Sequence, residues 1–490
     1  MTITMILEMA VSAGDRTAVT SGGRSLTAAR LLELAGAAAL RFRGRPAVLY
    51  TGANHLAYPV ALFGAAIAGV PFVPLNYRLG ERQLTELKAR HPGALVLDPG
   101  DLDALLDPPD DAASAAGAGA SGDVSVAGEL PPPPDPDDVA VLLYTSGTTA
   151  APKSAVLRHR HLLAYVLNTL EFASAAETDA ALVAVPPYHI AGLANLLTNI
   201  YTGRRVVYME SFDAAGWLET VRREGITHAL LVPTMLARIV AAVDGDDART
   251  PTLATLAYGG ARTPRPVLEK ALRVFPGTGF VNAYGLTETA SSVAVLGPND
   301  HRKALASDDP QVRARLGSVG RALPGVEFQI RTEKGELVPA GETGLVWVRG
   351  DQISGEYGER TVLDAGGWFA TRDRGRLDAG GYLFIEGRAD DTIIRGGENI
   401  APAEIEDVLL DHPGVTEAAV IGVPDPEWGQ RIVAVLVGRG DPEEIRAWAR
   451  ERLRSSKTPD AVVFRDALPK TETGKLLRRV LLAEMESAHA

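Results

Sequence analysis

Hydroxyl, glycine and lysine residues crowd one short stretch of the chain: Thr145, Ser146, Gly147, Thr148, Thr149 and Lys153, directly after the apolar run VAVLLY. At the exit of a buried strand such a stretch can wrap phosphate oxygens with backbone N–H groups, hydroxyl donors and one ammonium. A solvated Ser/Thr turn is the plain alternative, and the preceding strand and the terminal lysine speak against it. No Gly-Lys-Ser/Thr closes the stretch, so a P-loop kinase reading loses its main support. Lysine is informative here because 8 of the 49 basic residues are lysines and 41 are arginines. Where any cation would serve, this chain carries Arg. Lys153 and Lys475 therefore mark places where a compact, mobile ammonium is wanted as a point charge on phosphate or carboxylate.

Such residues need a scaffold. In the first hundred residues helical patterns (SLTAARLLELAGAAALRF, YPVALFGAAIAG, ERQLTELKAR) alternate with short apolar strands (PAVLY, VPFVPL, ALVLD), the rhythm of parallel sheets covered with helices. From 98 to 138 the composition turns to Asp, Pro, Ala and Gly and ends in PPPPDPDD, a loop or linker. Gly117 to Gly122 inside it matches the dinucleotide-binding fingerprint, but no strand enters it and no amphipathic helix follows, so the match is accidental. The α/β pattern resumes from Val139 to about Gly297. Then VEFQIRT, GLVWVRG and GYLFIEGR alternate with Gly-rich turns, as antiparallel hairpins do. After Ala389 to Asp391 a new α/β pattern begins, of a size ordinary for a second domain.

A chain of 490 residues with 46% hydrophobic and 22% charged residues exceeds one ordinary core and is neither collagen-like nor broadly disordered. The net charge of -12 opposes a sequence-independent nucleic-acid binder. Zero cysteines exclude disulfides, thiolate zinc sites and a cysteine nucleophile, and fit a reducing compartment such as the cytoplasm. The first residues, with Glu8 in the apolar run and no basic residue before Arg16, fail as a secretory signal. Residues 57–76 approach membrane-spanning length, yet Pro59, Pro71, Pro74, Gly64 and Gly69 interrupt them, so no membrane span is expected.

Six segments, YTSGTTAAPKS, VPPYHIAG, YGGA, AYGLTET, GWFATRDRGRLDAGGYLFIEGRADDTIIRGGENIAPAEIE and PKTETGKLLRR, resemble in order and spacing the ANL superfamily of adenylate-forming enzymes, with acyl-CoA synthetases and aryl-CoA ligases nearest. The resemblance spans essentially the whole chain. It implies an α/β fold: a large N-terminal domain, 1–389, of helix-covered β-sheets plus a β-rich subdomain, a hinge at Asp390, and a small mobile C-terminal α/β domain, 391–490. It also implies a reaction in which a carboxylate attacks the α-phosphate of Mg-ATP to give acyl-adenylate and pyrophosphate, after which a thiol displaces AMP. ATP, Mg2+ and coenzyme A are the cofactors implied, and a carrier-protein phosphopantetheine is the alternative acceptor. A nucleotide-binding homologue without turnover is the reading from another class, opposed by the intact Lys153, Thr287, Glu288, Asp373 and Lys475. The partners expected are a small carboxylic acid and CoA, in a monomer or homodimer.

By the same resemblance Thr287 bonds the α-phosphate and Glu288 holds Mg2+, a hard cation that suits a carboxylate. A strand end with Thr287 as a helix cap is the plain reading of YGLTE. Tyr284 would stack on adenine, with Gly259, Gly260 and Ala261 on its other face and Gly285 alongside. Asp373 would bond the ribose hydroxyls with Arg388 near it, and Lys475 would serve adenylation. Gly396, Gly397, Glu398 and Trp428 would line the thiol tunnel. Tyr188, His189, Ala261, Ala283, Gly285, Leu286 and Ala290 would border an acyl pocket for an uncharged fatty or aryl acid, His189 in a gating or positioning role. Three departures stand out. Ala150 and Ser154 replace usual glycines, and Arg372 precedes Asp373 where glycine is common, so ATP binding is expected to be retuned. Ser456 and Thr458 flank Lys457 where an aryl-CoA ligase has CoA contacts.

Overall fold

The computed structural model describes residues 1–107, 132–145, 153–358, 360–471 and 474–487. The interrupted apolar run folds as its breaks dictate: Ala57–Ile67 is a helix buried along 57–66, and Phe72–Pro74 is a strand. A helix apolar on all sides belongs in a core. No helix among the described residues is long and apolar enough to cross a membrane.

Phe72–Pro74 pairs in parallel with Val48–Tyr50 and with Val139–Thr145, and Val48–Tyr50 pairs with Leu95–Leu97. Covered on both faces, such strands are continuous apolar runs. The same sheet turns antiparallel at Lys153–Arg158, which runs back along Val139–Thr145, and extends to Glu356–Tyr357 and Arg360–Thr361. The hydroxyl-rich stretch therefore joins two antiparallel strands, with Thr145 opposite Lys153.

A second sheet, nine strands among the described residues, runs parallel from Gly279–Leu286 through Thr255–Gly259, His228–Leu231, Ala180–Val183 and Arg205–Tyr208 to Thr17–Ser21. Its rims are antiparallel, with Ser291–Leu296 and Arg321–Ala322 on one side and Arg24–Thr27 on the other. That last strand corrects the sequence expectation, which placed Ser25, Leu26 and Thr27 in the following helix. The helix is Ala28–Phe42, and Thr27 ends the strand and caps it, its Oγ1 accepting from the Arg30 N–H at 3.2 Å.

One apolar cluster fills the space between the two sheets, drawing Val48, Tyr50, Phe72 and Val141 from one and Val19, Val183, Val206 and Tyr208 from the other. The helices Ala28–Phe42, Ala57–Ile67 and Ile190–Thr202 supply the rest. Two of them touch so closely that a Cβ on Gly64 would stand 2.8 Å from the Ala38 Cβ, which only glycine avoids.

Beyond this lies an antiparallel sheet in the order Glu327–Arg331, Gly344–Arg349, Phe369–Leu377, Leu383–Arg388. The chain then builds a hairpin, Ile393–Arg395 with Glu398–Ile400, and a three-stranded sheet of Val415–Asp425, Gly429–Gly438 and Ala461–Phe464. Helices Pro402–Leu410, Pro442–Arg452 and Arg478–Ser487 accompany it. Its two apolar clusters, Ile393 to Ala449 and Ala419 to Met485, contain no earlier residue.

His159 and His161, each 1% exposed, open the helix His159–Thr169. Their Nδ1 atoms accept the N–H of Ile3 and of Arg158 at 3.4 and 3.2 Å, a role that requires neutral rings. Burial above all holds both pKa values down, to about 4. The unfolded chain, with histidines near 6.5, binds protons first as pH falls. The stabilisation is therefore complete above about pH 6.5 and drains toward pH 4, at about 1.4 kcal/mol per pH unit for each histidine. Urea unfolding between pH 7.5 and 5 is expected to show this slope, reduced by about one proton in His161→Gln. A pH-independent midpoint would contradict it.

Candidate active site

The strand Gly279–Leu286 carries the YGLTE segment to the edge of the large sheet. It runs parallel to Thr255–Gly259 and antiparallel to Ser291–Leu296. Two of the motif glycines are demanded by this packing itself: a Cβ on Gly259 would lie 2.1 Å from the Ala283 carbonyl oxygen, and one on Gly285 1.9 Å from that of Ser291. Gly260 holds φ +82°, which turns the chain toward Ala261. At the strand end Thr289, not Thr287, makes the local cap, its Oγ1 accepting from the Leu286 N–H at 2.9 Å. Thr287 is thereby left outside the capping role.

Across from this strand stands Asp373, 5% exposed, in Phe369–Leu377 and in register with Arg388 of Leu383–Arg388. The Tyr284 hydroxyl donates to Asp373 Oδ2 at 2.5 Å, and Arg388 Nη1 donates to Oδ1 at 2.9 Å and to the Thr371 carbonyl at 3.1 Å. The Asp373 N–H in turn donates to Thr371 Oγ1 at 3.1 Å. Burial, then the Asp373 charge, drives the Tyr284 phenol far above its ordinary value. Burial works against the Arg388 charge, but Asp373 outweighs it and raises the guanidinium pKa.

Lys475, on the later part of the chain, lies within electrostatic reach of the same residues. It is exposed as a residue, but the crowded cleft lowers its pKa below the ordinary lysine value, desolvation first and the Arg388 charge second, with Asp373, Asp391 and Glu288 acting oppositely. Its turn is closed by the Thr471 N–H donating to the Lys475 carbonyl at 2.7 Å and the Lys475 N–H to Thr471 Oγ1 at 3.0 Å. Gly474 before it holds φ +82°, and a Cβ there would stand 2.6 Å from Thr234 Cγ2 at the start of helix Pro233–Ala242. Glycine thus lets the turn seat against the large sheet's helices.

Glu288 is 7% exposed. Its carboxylate accepts from the Tyr357 hydroxyl, and its carbonyl accepts the Ser354 and Gly355 N–H groups at 2.9 and 3.3 Å. The Lys153 ammonium lies 5.8 Å from the Tyr357 ring centroid. Tyr357 therefore links the lysine that ends the hydroxyl-rich stretch to the acidic residue of YGLTE. Sequence reading missed it, because nothing in GEYG signals a partner 69 residues earlier. Of the stretch itself Thr145 is seen, its Oγ1 donating to the Lys153 carbonyl at 3.3 Å. Ser146, Gly147, Thr148 and Thr149 lie outside the described residues, as do Ala150 and the glycine run 117–122.

Two other groups complete the placement. His189 stands just before helix Ile190–Thr202, its ring 4.5 Å from that of Tyr188, which meets Tyr77 at 5.7 Å. Their loop is tied by Asn54 Nδ2 to the Val185 carbonyl at 3.1 Å and by the Tyr58 hydroxyl to Pro187 at 3.1 Å. Ala261, Ala283 and Leu286 are half-buried, whereas Ala290 is fully buried at φ +50° and packs in the inter-sheet core. On the later part, Gly396 and Gly397 hold φ +56° and +83° beside Trp428, which is 46% exposed. The Gly396 N–H donates to the Trp428 carbonyl at 2.8 Å, and Glu398 pairs with Arg454 at 3.3 Å.

Residues 7–357 match the AMP-binding enzyme family, and 404–475 match the AMP-binding enzyme C-terminal domain. The chain is 38% identical over 485 residues to a feruloyl-CoA synthase from Amycolatopsis sp, covering 94% of each protein. It is 33% identical to a fatty acid–[acyl-carrier-protein] ligase from Streptomyces coeruleorubidus, covering 89% of this chain and 86% of that one. The structure of o-succinylbenzoate CoA synthetase from Bacillus subtilis, in complex with its acyl-adenylate intermediate, superposes with a TM-score of 0.79 at 27% identity over 98% of each chain.

Proposed function

The chain belongs to the AMP-binding enzyme family, and from that premise we propose how its residues divide the work of joining a carboxylic acid to a thiol. It is an AMP-forming acid:CoA ligase that acts through an acyl-adenylate and uses ATP, Mg2+ and coenzyme A. The observation that carries the residue assignment is the seating of the Lys475 turn on the large part, Gly474 against Thr234, with the ammonium within electrostatic reach of Arg388, Asp373 and Glu288.

In the first step a carboxylate oxygen attacks the α-phosphorus and the bond to the pyrophosphate oxygen breaks. Negative charge gathers on the α-phosphate and on the departing pyrophosphate, so preorganised donors outweigh acid–base groups. We assign that work to the Lys475 ammonium, the Thr287 hydroxyl and Lys153. Asp373 is preset to accept the ribose hydroxyls, because Tyr284 and Arg388 hold its carboxylate in place. Tyr284, Gly259, Gly260 and Ala261 border the adenine. Among the described residues no three acidic or histidine side chains converge on one point. The buried carboxylate of Glu288, a hard oxygen donor, fits Mg2+, which takes most of its ligands from phosphate and water. The ion there would neutralise phosphate charge.

In the second step the thiol sulfur attacks the acyl carbonyl carbon, and the bond to AMP breaks. Gly396 and Gly397, without side chains, would leave room for the thiol arm beside Glu398 and Trp428. Asp390 is proposed as the hinge between 1–389 and 391–490, a division supported by the separate apolar clusters after residue 393. Loading a carrier protein is the second reading, kept because of the acyl-carrier-protein ligase among the relatives. A cytoplasmic place of action belongs to the same proposal, consistent with the cysteine-free chain.

For the acid, the rings of His189, Tyr188 and Tyr77, packed tilted and edge to face, offer an aromatic wall, and VPPYHIAG brings no carboxylate to balance an ammonium. An uncharged fatty or aryl acid is the substrate class proposed. In pyrophosphate release over a panel of acids, medium-chain and aromatic acids are expected to outrank acetate and every amino acid; the reverse order would contradict the assignment. Comparing thioester formation on free CoA and on holo carrier protein separates the two acceptors.

Lys475→Ala is expected to slow adenylation about a hundred- to thousandfold, the usual effect of losing one transition-state donor. Thioester formation from supplied acyl-adenylate should be spared. Equal loss in both half-reactions would remove the assigned role.

A further inference from the structure

Two arginines of the large part reach across to the segment that delivers Lys475. Arg262 follows the Gly259–Ala261 turn, and its Nη1 donates to the Ala403 carbonyl at 3.1 Å while Nη2 pairs with Asp407, both on helix Pro402–Leu410. Arg372 Nη1 lies 3.7 Å from Asp390 Oδ2. Both pairs are open to solvent, with side chains 48% and 48% exposed in the first and 61% and 46% in the second.

Arg372 also sits at φ +62°, a conformation that favours glycine. Its neighbours impose it: Thr371 Oγ1 accepts from the Asp373 N–H, and the Thr371 carbonyl from Arg388, so the backbone bends where the buried carboxylate is presented. A strained arginine kept at such a place calls for a compensating task. The partner it meets is the carboxylate at the junction of the two parts, and its charge also acts on the Tyr357 hydroxyl beside Glu288.

We propose that Arg262 and Arg372 are positioning residues whose ion pairs with Asp407 and Asp390 hold the later part in the pose that keeps Lys475 in the cleft. Neither touches a reacting atom. They act by setting the share of time the chain spends ready for carboxylate activation rather than for thioester formation. The inference rests on the reading of Asp390 as the hinge and of Lys475 as the first-step cation. Exposed pairs are individually weak and yield to salt, so the clasp biases the pose without locking it.

The two half-reactions, measured separately, test this. Arg262→Gln and Arg372→Gly are each expected to slow pyrophosphate release about two- to fivefold while thioester formation from supplied acyl-adenylate holds or rises, the range that exposed ion pairs allow. Arg372→Lys should restore the ratio by returning the charge, and Asp407→Arg should rescue Arg262→Glu. Raising salt from about 0.05 to 0.5 M should shift the parent enzyme the same way and the double variant Arg262→Gln/Arg372→Gly far less. Equal slowing of both half-reactions, an unchanged ratio, or failure of the charge swap would overturn the proposal. If Lys475→Ala is step-selective while the arginine variants are not, only the clasp falls; if Lys475→Ala slows both steps alike, the reading beneath it falls.

Discussion

A carboxylate with almost no access to water has to be paired, and Asp373 is paired from two directions at once. Tyr284 comes from an inner strand of the large sheet and Arg388 from the next strand of the small antiparallel one, so a single buried charge fastens two sheets together. Removing one partner of a buried ionic group leaves the other uncompensated, typically at about 3 to 5 kcal/mol. That cost makes the geometry of the cleft a condition of folding as well as of activity. With Asp373 as the proposed ribose acceptor, nucleotide recognition needs little further ordering, since the accepting oxygens are already held.

The same economy extends outward from Asp373. The Asp373 N–H donates back to Thr371 Oγ1 across Arg372, which holds a left-handed conformation, and Arg372 Nη1 lies 3.7 Å from Asp390 Oδ2. Tyr357 holds Glu288 and has the Lys153 ammonium near its ring, so the end of the hydroxyl-rich stretch and the carboxylate proposed for Mg2+ share one support. Burial first and the Arg388 charge second lower the pKa of the Lys475 ammonium, as expected where cations gather to meet an anion.

Much of this is legible in the chain because the chemistry is locally encoded. YGLTE, GGA and TGK each place donors, turns and charge within a few residues, and the scarcity of lysine by itself singles out Lys153 and Lys475. Sheet and helix alternation likewise predicts the layered α/β architecture. What escapes is pairing over long separations: Tyr357 to Glu288, Arg262 to Asp407, and the seat of Gly474 on Thr234. The hairpin at Thr17–Thr27 is missed for a related reason. Ser25, Leu26 and Thr27 read as helix beside an Ala-rich run, and pairing with a strand already in the sheet overrides that preference. Some motif glycines also prove to be required by strand packing, as at Gly259 and Gly285, before any ligand is considered.

In the adenylation step the acid's own oxygen becomes bonded to the α-phosphorus. Turnover of a carboxylic acid labelled with 18O in both oxygens, with ATP, Mg2+ and CoA, tests it by mass spectrometry of the nucleotide and phosphate products. One labelled oxygen in AMP, with unlabelled pyrophosphate, is the result expected, since the thiol displaces AMP together with the oxygen that attacked. Label in inorganic phosphate with ADP as the nucleotide product, or unlabelled AMP alongside thioester, would contradict it.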